Sequence, residues 1–274
     1  MKNLVLRTAT GVAFVAVMVG GILHSALSLW VLFLCVTVLT VWEFTGLVNA
    51  HAGVQVNRVV TTAAAAFLYV GISALQTPDA PHARLLVVPW LLSVVWLMAE
   101  ELYLQRDNPL GNWAFAMLAQ VYVALPFALL PLVGDATIVL AVFLFLWCSD
   151  TGAYCTGSLI GRHKLFPRIS PGKTWEGSIG GGVVAIAASQ LMAYMSDSAL
   201  TPLTWAAMAL VVVVAGTLGD LVESLFKRRL GVKDSGNILP GHGGMLDRFD
   251  SSLLAIPAVW AFLSLVYAQC LNKC

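Results

Sequence analysis

Carboxylates and cations stand in this chain beside stretches that could dissolve in hydrocarbon. In "VAGTLGDLVESLFKRR", Asp220 and Glu223 lie three residues apart, so a helix puts them on one face, within the last two turns of an apolar run. A carboxylate at that depth is costly and faces a polar cavity or a partner. Glu223 has a candidate partner in Lys227 at i+4, so a salt bridge and a site role both stay open for it. Asp220 has no such partner within helical reach, which favours a functional role. Further on, "PGHGGMLDRFDSS" sets Gly241, Gly243 and Gly244 around His242, followed by Asp247 and Asp250 with Arg248 between them. Glycines admit positive φ and close backbone approach to a ligand, and successive free N–H groups form an anion nest. One of Asp250, Ser251 and Ser252 serves as the N-cap of the next helix. Two aspartates and an arginine exceed what a cap requires. His242 is either a turn residue or a functional, loop-ordering one.

A second polar region is "LWCSDTGAYCTGSLIGRHKLFPRISPGKTWEGSIGGG". Asp150, followed by Thr151 and Tyr154, sits inside an apolar helix and is a functional candidate by that placement. "GKT" at Gly172–Thr174 invites a P-loop reading, but Pro167 occupies the position that must be glycine and no strand is expected before it. Lys173 and Thr174 can instead reach phosphate oxygens beside the helix that starts near Glu176, where the dipole favours anions. Arg162, Lys164 and Arg168 suit contact with anionic lipid. Gly180, Gly181 and Gly182 suit close helix packing.

Asp150, Asp220 and Asp247 can converge at one membrane edge. Carboxylates so placed repel unless a cation sits among them, and hard oxygen donors with few neutral partners suit Mg²⁺, which keeps waters and shares substrate phosphates. Neighbouring Lys and Arg then suit a polyanionic substrate.

These residues need elements to hold them. Of the 274 residues, 59% are hydrophobic and 11% charged, against about 25% charged in a soluble domain. The expected fold is therefore all-α, a polytopic integral membrane protein with about nine transmembrane helices, near 8–24, 26–46, 58–76, 84–104, 113–131, 136–159, 177–196, 203–225 and 251–270. Placing the N-terminus in the cytoplasm puts every Lys and Arg except Arg84 and Lys273 on the cytoplasmic side, as the positive-inside rule asks. Asp79, Asp135 and Asp197 then lie outside. The two long loops, Gly161–Glu176 and Lys227–Asp250, face the cytoplasm. Residues 1–135 form an N-terminal region of about five helices. Residues 136–274 form a catalytic region of about four helices and these two loops. The basic, apolar N-terminus looks like a signal peptide, but membrane segments follow at once, so a retained first helix is expected. The five cysteines imply no disulfide framework, although Cys270 and Cys274 could pair. The net charge of +1 says little about partners, and no nucleic acid is expected among them.

"SLFKRRLGVKDSGNILPGHGGMLDRFD", Ser224–Asp250, resembles the signature of the phosphatidate cytidylyltransferase (CDP-diacylglycerol synthase) family at each of its fixed positions. "SDTGAY" at Ser149 and "SPGKTWEG" at Ser170 are similar to further family elements. The chain departs at Gly172, where the family often carries a second basic residue. The motifs cover about Ser149–Asp250, and the first five helices match in general character alone. The resemblance implies that CTP and phosphatidate give CDP-diacylglycerol and pyrophosphate with Mg²⁺, in a membrane homodimer. It implies that Asp220 and Asp247 are metal ligands, that a second cation such as K⁺ shares them, and that Asp250 is a third carboxylate. Lys227, Arg228, Lys233 and Arg248 become phosphate-binding candidates. His242, Gly243 and Gly244 would shape the loop around the nucleotide phosphates. The expected location is a bacterial inner membrane, with the active site at its cytoplasmic face.

Two other activities fit a membrane protein with these residues. A CTP-dependent polyprenol or phytol kinase would transfer the γ-phosphate and release CDP. A transporter would use the aspartates as cation or proton sites, but the charges cluster at one membrane edge and no internal repeat is visible. A lipid-binding scaffold leaves the signature unexplained.

Overall fold

A computed structural model describes residues 2–75, 83–238 and 243–271. Ten α-helices carry nearly all of it: α1 (Lys2–His24), α2 (Ala26–His51), α3 (Arg58–Ala74), α4 (Val88–Leu104), α5 (Pro109–Leu118), α6 (Leu125–Val133), α7 (Ala136–Ile160), α8 (Trp175–Met195), α9 (Pro202–Arg229) and α10 (Leu246–Leu271). A 3-10 turn (Ala83–Val87) leads into α4, and a π-helical turn (Ala119–Ala124) joins α5 to α6 as one rod. Hydrocarbon offers the backbone no hydrogen bonds, so a spanning segment must satisfy its own N–H and C=O groups, as a helix does. Every expected segment is helical, and the protein is an all-α polytopic membrane protein. Among the described residues seven helices are long and apolar enough to cross a bilayer, while Thr8–His24 and Arg58–Ala74 are shorter apolar helices.

The sequence marks the helix starts. Ser25 caps α2 in a capping box, Asn57 caps α3, Asn108 followed by Pro109 starts α5, and Asp135 caps α7 through the Ile138 N–H. In each, a side-chain oxygen takes one of the N–H groups that the first turn leaves unpaired. The cap expected at one of Asp250, Ser251 and Ser252 does not form. Helix α10 begins at Leu246, so Asp250, Ser251 and Ser252 lie inside it.

The chain divides into two units, Met1–Leu132 with Arg229–Phe249, and Val133–Arg228 with Asp250–Cys274. In the first, Phe127 meets Phe249 edge-on at 5.4 Å, and Phe14 meets Phe249 at 5.8 Å. A polar knot ties its turns. Arg106 pairs with Glu100 at 3.2 Å and Glu101 at 2.6 Å, and Asn112 donates to Glu101 while accepting from the Gln55 N–H. In the second unit α7 and α8 pack through small residues. A Cβ on Gly181 would meet the Ser149 carbonyl at 2.5 Å, and one on Gly177 would meet the Ala153 carbonyl at 2.9 Å. Such stripes let helix backbones approach where lipid gives no hydrophobic drive to pack. The packing reading holds for Gly180, which faces Thr156, and for Gly181. Gly182 has only an ordinary contact with Val213, at 3.8 Å.

The segment before α8 is an antiparallel hairpin of β1 (Lys164–Phe166) and β2 (Ser170–Thr174), with Lys164 opposite Thr174 and Phe166 opposite Ser170. "GKT" therefore does end a strand that runs into a helix, contrary to expectation. Pro167 still separates it from a P-loop.

Candidate active site

In the second unit, β2 delivers Lys173 and Thr174 to the start of α8. Thr174 is buried and its Oγ1 accepts the Gly177 N–H at 3.1 Å as the helix cap. Its hydroxyl is thus engaged by α8 itself. Glu176, in the first turn of α8, clasps the hairpin base, with Oε1 2.5 Å from His163 Nδ1 and Oε2 accepting the Arg162 N–H at 3.1 Å. Lys173, released by this geometry, reaches α9 and pairs with Asp220 at 2.5 Å. Ser224, one turn on, donates to the other oxygen of Asp220 at 3.1 Å.

Asp150 on α7 and Asp250 on α10 complete the group. Asp150 interacts electrostatically with Lys173 and Asp220, and Asp250 with Asp220, Asp150 and Lys227. The α9–α10 approach behind this group is narrow. A Cβ on Gly219 would lie 2.7 Å from the Asp250 carbonyl and 3.0 Å from that of Ser251. Lys227 also closes the i+4 pair with Glu223, at 2.7 Å, so the salt bridge open to Glu223 forms.

Two cavities flank these residues. The polar one, about 360 Å³, is lined by Ser149, Asp150, Tyr154, Lys173 and Thr174, with Ser178 and Thr217 on its far wall. The other is an apolar groove of about 460 Å³ between α8 and α9, lined by Phe166, Trp175, Ile179, Val183 and Val214 among others. Ser178 and Thr217 line both, so the two cavities adjoin.

Of the signature, Arg229–Phe249 belongs to the first unit. Lys233 there is exposed, as are Arg228 on α9 and Arg248 on α10. His242 lies outside the described residues, as do the side chains of Cys270 and Cys274. Gly243 has φ +82, a conformation that favours glycine, and Gly244 is buried. Asp247, in the first turn of α10, accepts the Ser235 and Gly244 N–H groups on one oxygen, both at 2.9 Å.

The residue that sequence reasoning missed is Glu43 of α2. It is 7% exposed. Its carboxylate accepts the Ser235 hydroxyl at 2.6 Å, the Met245 N–H at 2.9 Å and the Leu246 N–H at 3.0 Å. This acid, with Ser235, does the capping expected of one of Asp250, Ser251 and Ser252. The signal was available, because a carboxylate within an apolar helix is a candidate wherever it occurs.

Among the described residues no group of three or more His, Cys, Asp or Glu side chains is close enough to cage a metal ion. The donor chemistry nevertheless fits Mg²⁺, which uses one or two carboxylates and completes its shell with water and substrate phosphates. Asp150, Asp220 and Asp250 supply hard oxygens, and the Lys173 ammonium on Asp220 marks where positive charge is wanted.

Helices, hairpin and a carboxylate–lysine pocket beside an apolar groove define a membrane-embedded enzyme. The chain belongs to the cytidylyltransferase family, whose sequence model its residues 5–266 match, and is a CTP-dependent nucleotidyltransferase. It is 37% identical over 193 residues to a phosphatidate cytidylyltransferase of Staphylococcus aureus (strain COL), covering 69% of this chain and 74% of that protein. Proteins of the same name match from Staphylococcus haemolyticus (44% over 146 residues, 53% of this chain and 56% of that one) and Staphylococcus epidermidis (50% over 119 residues, 43% and 46%).

Proposed function

We propose that the chain joins CTP and phosphatidate to give CDP-diacylglycerol and pyrophosphate. The observation that carries this reading is the adjacency of the polar pocket and the apolar groove, which share Ser178 and Thr217. A substrate with an anionic head and acyl tails matches both halves. The name of the Staphylococcus aureus relative supports the same substrate.

A phosphatidate oxygen attacks the α-phosphorus of CTP in line, and the bond to the bridging oxygen of the β-phosphate breaks. The lipid phosphate is already an anion near neutral pH, so little general-base help is needed. The difficulty is bringing two polyanions together. Lys173 neutralises charge in the pocket, and Lys227, Arg228, Lys233 and Arg248 hold phosphate oxygens. Gly243 and Gly244 offer backbone N–H groups beside His242. Asp220 and Asp247 carry the metal assignment that the resemblance makes, with a second cation such as K⁺ shared between them and Asp250 as a further carboxylate. Bound Mg²⁺ would offset charge on the reacting phosphates and on departing pyrophosphate. The N-terminus and the site face the cytoplasm of a bacterial inner membrane, and the enzyme works as a homodimer.

The test uses purified protein in detergent–phosphatidate micelles with Mg²⁺ and CTP. The reading expects pyrophosphate and a CMP-bearing lipid together, both lost on chelation of Mg²⁺. CDP release with a phosphorylated alcohol would replace it with a lipid kinase. Absence of metal-dependent turnover with any lipid, alongside ion-driven flux in liposomes, would replace it with a transporter.

A further inference from the structure

We infer that Glu43 is a positioning residue, the brace that holds the signature segment and Asp247 in working geometry. The inference rests on the proposed cytidylyl transfer for its kinetic consequence, but not for the brace itself. Three donors converge on the Glu43 carboxylate: the Ser235 hydroxyl and the Met245 and Leu246 N–H groups. The two N–H groups belong to the start of α10, where a helix leaves its first donors unpaired and carries partial positive charge. Among the described residues no Lys or Arg forms an ion pair with Glu43. Its counter-charge is therefore this helix end.

The brace is tied directly to Asp247. Ser235, held by Glu43 through its hydroxyl, gives its own N–H to Asp247 at 2.9 Å and accepts the Asp247 N–H at 3.3 Å. The Gly244 N–H closes the ring on Asp247, also at 2.9 Å. Both ends of the stretch from Ser235 to Gly244 are thus pinned to two carboxylates. At Gly236 and Gly244 the backbone passes too close for a side chain. A Cβ on Gly236 would lie 2.6 Å from a Glu43 oxygen, and one on Gly244 would collide with Glu43 and Ser235. The signature glycine Gly244 is required here by Glu43, whatever it also offers a nucleotide. A carboxylate in α2, outside every motif, therefore fixes where Asp247 points.

The experiment compares full-length wild type with Glu43→Gln, Glu43→Asp and Ser235→Ala in detergent. Glutamine keeps the size but turns one acceptor into a donor facing an N–H. Hydrogen exchange should rise in peptides spanning residues 235–247 of Glu43→Gln and stay unchanged in α7 to α9. In the micelle assay kcat should fall roughly a hundredfold, as for a misplacement of about 1 Å, with the KM for CTP within about threefold of wild type. Glu43→Asp should recover part of kcat, and Ser235→Ala should fall between wild type and Glu43→Gln. Unchanged exchange would overturn the brace. Raised exchange with wild-type kcat would overturn its role in positioning. Should Glu43→Gln not fold, Ser235→Ala decides by the same two readings. A wild type that makes no CMP-bearing lipid would sink the proposed reaction, while exchange would still decide the brace.

Discussion

Lys173 Nζ lies 2.5 Å from Asp220 Oδ2, joining the hairpin before α8 to the end of α9. The pair places a cation among Asp150, Asp220 and Asp250. Lys173→Ala should remove the cation that faces Asp150 and Asp220 and lower CDP-lipid formation by about a hundredfold. Lys173→Arg should restore part of it. Turnover in phosphatidate micelles, with size-exclusion profiles to confirm folding, checks both.

Asp247→Asn should abolish turnover while the protein still inserts and folds. The asparagine keeps an oxygen for the Ser235 and Gly244 N–H groups that Asp247 now accepts, so the loop ring survives while the charge is lost. Activity and melting of the purified variant decide the matter. Normal activity would remove Asp247 from the site.

Filling the groove between α8 and α9 should act on the lipid alone. Val183 and Val214 both line this cavity of about 460 Å³. Replacing either by tryptophan should raise the KM for long-chain phosphatidate roughly tenfold and leave that for CTP unchanged. A short-chain phosphatidate should be nearly indifferent. Equal effects on both lipids would place the acyl chains elsewhere.

Gly219→Ala tests how closely α9 and α10 must approach. Its Cβ would press on the Asp250 and Ser251 carbonyls, which are backbone atoms and cannot rotate away. The helices must part, at a cost of about 1–3 kcal/mol. A lower thermal midpoint and reduced activity are expected. Gly182→Ala, facing Val213 at 3.8 Å, should do far less.

The orientation can be read with a membrane-impermeant thiol reagent in a cysteine-free background. Arg168→Cys, in the hairpin turn, should label only from the cytoplasmic side, and Asp197→Cys, between α8 and α9, only from the opposite one. The reverse pattern would overturn the charge-based topology.

The helices were legible because a membrane demands length and apolarity together, and both are local properties. Asp150 and Asp220 were legible for the same reason, since neither has a basic residue one turn away in its own helix. What faces them was not. Lys173 stood out as a phosphate ligand, yet only the hairpin brings it to Asp220. That hairpin was itself obscured, because "SPGKT" contains residues that disfavour strands and pairs only through its opposite arm. The start of α10 was misread because Ser251 and Ser252 look like caps. The acceptors used there, Glu43 and Ser235, belong to other segments. A lone glutamate in α2 announces a partner without saying where along the chain it waits.

Glu43 and Ser235 are separated by 192 residues, which fixes an order of assembly. During synthesis α2 inserts long before the ribosome reaches the segment it braces, so its acid waits in the bilayer without those donors. Only synthesis through Leu246 relieves it. A copy interrupted before α10 keeps that carboxylate in a membrane helix without these donors, a costly state. Synthesis of the start of α10 and closure of the signature loop on α2 thus become one event.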